Sequence, residues 1–121
     1  MTQLNSFGSV LSFAIQLESS FQQYYQAAGL TDAASDAEKR KSKLERARRE
    51  YVVEITLEPI EGLHEADYTL DFDDSSADGQ KKLAASAAQF YADAAPKINV
   101  RQVQRVLEKC GQEHAAVAQG T

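Results

Sequence analysis

From position 4 to 28 the apolar residues recur every three or four places: Leu4, Phe7, Leu11 and Ala14, then Phe21, Tyr25 and Ala28. That spacing lays them along one face of an amphipathic helix. Gly29 ends it, with Leu30 placed for the apolar contact that follows a glycine C-cap. Ser35 and Glu38 read as a capping box, which opens a second helix over 36–58, before Pro59. A third, 79–95, carries Leu83, Ala87, Phe90 and Ala94, with Asp78 as its cap and Pro96 at its end. The fourth, 100–118, opens at Asn99 with Gln102 three residues on, again capping-box chemistry. Its stripe is Val100, Val103, Leu107, Cys110, His114 and Val117.

Helices one and two are joined by a few residues, as are three and four, so each pair is predicted to be an antiparallel hairpin. Residues 59–78 between the pairs include an alternating piece, Tyr68, Leu70 and Phe72. A link of that length returns the chain to the far end of a bundle. The fold class expected is all-α: a four-helix bundle of two hairpins joined by a long crossover, one domain over 1–121. The two halves also echo each other. "LERARREYVVEI" at 44–55 aligns with "LEKCGQEHAAVA" at 107–118, and "QQYYQAAG" at 22–29 with "AQFYADAAP" at 88–96.

Two polar residues fall on the apolar stripes. Glu18 continues the first-helix series and His114 the fourth. With a crossover, helices one and four run parallel, and Glu18 and His114 each lie about 21 Å along them. They are expected to meet in the core, where a carboxylate and an imidazole imply metal ligation or a hydrogen-bonded pair, because an unpaired buried charge is costly.

The pattern Glu18-x6-Tyr25 followed by Ala27-Ala28, echoed two helices later, resembles the rubrerythrin branch of the ferritin-like superfamily. The resemblance implies a ferritin-like bundle in which each half gives one Glu from its first helix and a Glu-x-x-His from its second, six ligands for two iron ions. Glu18 matches the first-helix ligand of one half and His114 the histidine of the other. The remaining places hold Arg48, Tyr51, Ala84 and Gly111. The expectation is therefore a bundle without a di-iron centre or other cofactor. Glu18 and Arg48 would form a buried ion pair, Arg satisfying the carboxylate through its planar fork, with Tyr51 and His114 hydrogen-bonded around it. The alternative is a divergent metalloprotein holding one iron or other transition metal on Glu18 and His114, helped by Glu50 or Glu54. A small apolar ligand between the helices, where Ala84 and Gly111 stand, is a further option.

Composition narrows the function classes. Net charge is −5, which argues against nucleic acid as the main partner. Seven of the thirteen basic residues do fall in 38–50, but acidic residues interleave at helical spacing and no aromatic is placed to stack on bases. From Glu61 to Asp78 there are seven acidic residues and no Lys or Arg, so basic and acidic segments would pair between two copies in an antiparallel homodimer. Asp74 to Gly79 resembles the start of a calcium loop, but Ala85 stands where the bidentate Glu belongs. The one cysteine, Cys110, excludes an internal disulfide and fits a small core residue better than a nucleophile, since a helix offers no free oxyanion donors. His64 sits among acidic residues in the crossover. No signal peptide or membrane span is read, so a cytoplasmic location is expected. There is no recognisable catalytic constellation. The function expected is an interaction or assembly module.

Overall fold

The computed structural model describes residues 7–51, 63, 68, 70, 72, 76–98 and 100–119. Four helices account for nearly all of these: α1 (Phe7–Ala27), α2 (Thr31–Tyr51), α3 (Ala77–Ala94) and α4 (Arg101–Ala118), with a 3-10 turn at Ala95–Lys97. Among the described residues there is no strand. The pairs α1–α2 and α3–α4 pack along their lengths, and α2 also meets α4.

The α1–α2 turn follows from Gly29. Its φ of 76° is the left-handed conformation that glycine adopts without a Cβ penalty. The Leu30 amide reaches back to the Tyr25 carbonyl at 2.8 Å and the Gly29 amide to that of Gln26 at 3.1 Å, which is the Schellman pattern. The second helix then starts at once, its first bond running from the Ala34 amide to the Leu30 carbonyl at 3.0 Å. The expected Ser35–Glu38 cap is thereby corrected: Ser35 is exposed and inside α2. Buried Ala34 and Ala37 explain why, because they extend the core face of α2 right up to the turn.

Two further caps differ. Ser76, not Asp78, caps α3, accepting from the Gly79 amide at 3.1 Å. Asp78 stands exposed in the first turn, where its charge favours the helix dipole. Val100 occupies the cap position of α4 without a side-chain bond, so the predicted Asn99 cap is displaced by one residue; Asn99 itself lies outside the described residues.

The crossover's aromatics show how the hairpins are set. Tyr68 lies against Phe13 and Phe90, while Phe72 lies against Phe21 and Tyr24. Phe72 therefore stands further along α1 than Tyr68 does. The third helix begins just beyond Phe72 and comes back to bring Phe90 within 4.8 Å of Phe13, so α3 is antiparallel to α1 and α4 parallel to it. Phe21 and Phe90 are fully buried, each contributing about 2–3 kcal/mol relative to an exposed ring.

Candidate functional site: a buried carboxylate shared by four helices

Glu18 is completely buried, on the α1 stripe between Leu17 and Phe21. Each of the other helices sends it one side chain. The Arg40 Nε of α2 donates to Oε1 at 2.8 Å, the Tyr91 hydroxyl of α3 donates to Oε2 at 2.6 Å, and the His114 Nε2 of α4 lies 2.8 Å from the same oxygen. A carboxylate accepts only, so Nε2 carries the hydrogen. Arg40 also reaches outward, its second nitrogen donating to half-exposed Glu113 at 3.1 Å. The guanidinium thus bridges a core carboxylate and a surface one.

The histidine ring is wedged between Phe21, at 4.7 Å between centroids, and Tyr91, stacked at 5.8 Å. Its Nδ1 has no hydrogen-bond partner. Gly111, one turn earlier, lets α4 approach α3 closely: a Cβ there would stand 2.9 Å from the Tyr91 Cβ.

The electrostatics fix the charge states. Burial pushes the Glu18 carboxyl up, but the His114 and Tyr91 hydrogen bonds and the Arg40 charge outweigh it, and the net shift is downward. Burial works against the Arg40 charge too, and Glu18 and Glu113 more than restore it. Tyr91 is driven well above its ordinary range by burial and then by Glu18. Burial, with Glu18, also pushes the Cys110 thiol up to about 12.

The predicted residues fare unevenly. Glu18 and His114 meet as expected. Arg48 does not join them: it is exposed and donates to Ser12 at 3.0 Å. The correction has a geometric cause. In an antiparallel hairpin, residues equally far from the turn share a level. Arg40 is eleven residues after Gly29 and Glu18 eleven before it. Arg48, eight residues further on, can only reach the level of Ser12. The side chain of Tyr51, and all of Glu54 and His64, lie outside the described residues. A tyrosine hydroxyl does reach Glu18, from Tyr91 of α3. Glu50 is exposed and paired with Arg46 at 2.9 Å, away from the cluster. Among the described residues no three His, Cys, Asp or Glu side chains are grouped to hold a metal ion.

Both missed residues carried a signal. Arg40 continues the spacing Ala34, Ala37, Arg40, Leu44, Ala47, the buried face of α2. Tyr91 aligns with Tyr25 in the internal repeat. No family model, curated protein or solved structure matches this chain.

Proposed function

We propose that the chain is a metal-free relative of ferritin-like bundles that serves as an interaction and assembly module, working as a homodimer. The observation that carries this reading is the Arg40–Glu18 contact. A guanidinium 2.8 Å from Oε1 takes the place beside the carboxylate where a metal ion would have to sit, and its charge repels a second cation. The other oxygen is taken by Tyr91 and His114. The residues present therefore do not fit a di-metal centre, and Glu50, named for a single-metal site, stands on an outer face.

The cluster is better suited to bracing. It ties one side chain from every helix to a single carboxylate, so it selects the register in which both hairpins dock. We assign this buried ion pair to fixing that register rather than to adding net stability. With its interior committed in this way, the chain has its surface left for recognition. The exposed basic side chains of α2 and the acidic crossover are the segments whose charges suit a second copy.

The test is elemental analysis of untagged protein reloaded anaerobically with ferrous iron. The expected result is no retained metal. Near-stoichiometric iron that disappears in His114→Ala would overturn the metal-free reading in favour of a single-metal protein.

A further inference from the structure

Arg40 is where the buried cluster reaches solvent. Its Nε donates to the core carboxylate of Glu18 at 2.8 Å, and its Nη1 donates to Glu113 at 3.1 Å. The Arg40 side chain is 6% exposed and that of Glu18 fully buried, whereas the Glu113 side chain is 36% exposed. One guanidinium therefore holds two carboxylates in different surroundings, one shut away from water and one open to dissolved ions. Burial works against the Arg40 charge; Glu18 restores it first, and Glu113 adds to that.

The link lies where α2 meets α4. Glu113 immediately precedes His114 in α4, so the surface carboxylate and the ring that also holds Glu18 are consecutive residues. Between α1 and α3 the joining is aromatic. Phe13 stands 4.8 Å from Phe90, Tyr68 lies against both, and the Tyr68 hydroxyl donates to Asp93 at 2.7 Å. The buried face of α2 instead carries Ala34, Ala37, Leu44 and Ala47 beside Arg40. Three alanines and one leucine bury little apolar area, which leaves Arg40 a large share in holding α2.

A long arginine side chain has a second state, swung out along its helix into water. That state strands the Glu18 charge and is therefore rare. How rare it is depends on Glu113. The pull of Glu113 on the guanidinium is strongest at the docked position, half out of water, and weak once both groups are solvated.

We propose that Glu113 is a surface latch on the buried cluster: it keeps Arg40 on Glu18, and a cation or basic side chain that takes Glu113 from solvent makes Arg40 let go more often. Dissolved salt acts the same way, because it screens the half-exposed pair and leaves the buried one almost untouched. A change at one residue of α4 is thereby passed to a carboxylate that all four helices hold. The latch goes beyond the assembly reading and does not depend on a second copy.

The test is NMR on the isotope-labelled full chain, following exchange of the Arg40 Nε–H with water, which requires the guanidinium to leave Glu18. In wild type this exchange should outpace the slowest core amides and ignore low urea, since a swinging side chain exposes little surface. Glu113→Gln keeps the size and removes the charge. It should speed Nε–H exchange about fivefold, as suits a half-exposed hydrogen bond between charged groups. Glu113→Lys should do more, and Glu108→Gln, at an exposed carboxylate of the same helix, should change nothing. Raising salt from about 0.05 M to about 0.5 M should speed the exchange in wild type and not in Glu113→Gln. Equal Nε–H rates in wild type and Glu113→Gln overturn the latch, as does a salt response that persists without the Glu113 charge. An Nε–H rate that climbs with urea in parallel with the slowest amides also overturns it, because Arg40 would then leave Glu18 only when the chain unfolds.

Discussion

Glu18 and Arg40 stand eleven residues to either side of Gly29, and that equality brings the guanidinium Nε to 2.8 Å from the carboxylate. Removing the cation leaves a fully buried carboxylate without its counter-charge. Arg40→Met is expected to cost about 3–5 kcal/mol in urea unfolding, against a change within about 0.5 kcal/mol for exposed Arg48→Ala. Adding Glu18→Gln to Arg40→Met should recover at least about 1 kcal/mol, because the stranded charge goes with it. Equal losses for Arg40→Met and Arg48→Ala would show that the pair does not brace the bundle.

The same carboxylate sets an acid limit. Unfolded Glu18 titrates near its ordinary 4.5 and the folded group lower, so between the two the unfolded chain binds more protons. Its contribution is complete above about pH 4.5 and drains away as pH falls through the folded value. Urea midpoints measured from about pH 6 downward should fall steeply in wild type, and less so in Glu18→Gln, which has no proton to take up.

Tyr91 works at the alkaline end, with the opposite sign. Its folded pKa is raised well above 10.0, so its contribution is present below that value and lost as pH rises through the folded one. Its tyrosinate absorbance should appear late, together with alkaline unfolding, and that share of the late signal should vanish in Tyr91→Phe. At neutral pH the same variant removes a hydrogen bond to a charged group and should cost about 1.5–3 kcal/mol.

Gly111→Ala tests how closely α3 and α4 approach. A new Cβ would meet the Tyr91 Cβ at 2.9 Å, and that carbon is tied to the backbone and cannot swing aside. Helix propensity favours alanine by about 1 kcal/mol, while overpacking costs about 1–3 kcal/mol. A net loss is expected in chemical denaturation. A gain in stability would mean that the two helices separate at little cost.

Cys110 reports on opening of the cluster. It is buried at 2% exposure and its thiol is pushed up to about 12, so a thiol reagent at neutral pH should react only through unfolding. The labelling rate should rise in Arg40→Met in step with its lost stability. Fast labelling of the native wild-type protein would show that the core opens locally around α4.

The hydrophobic period marked out four helices, because it records which side of each helix leaves water, and the short links paired them into two hairpins. It also set Glu18 and His114 in the core, since a polar residue on an apolar stripe is buried by its neighbours. Gly29 was legible as the turn, being a residue free to adopt positive φ. Arg40 escaped notice for a physical reason: within a run of charged residues, one buried arginine looks like its solvated neighbours until the level of each residue is counted from the turn. That count depends on where α2 begins, at Thr31 or after Ser35, and the tightness of the chain reversal decided it. Only the tertiary structure showed which arginine reaches the carboxylate, that Tyr91 completes its shell, and that Gly111 draws α4 against α3. Periodicity gives a residue its face, but its height and its partners are set by caps and close contacts that the packed helices settle together.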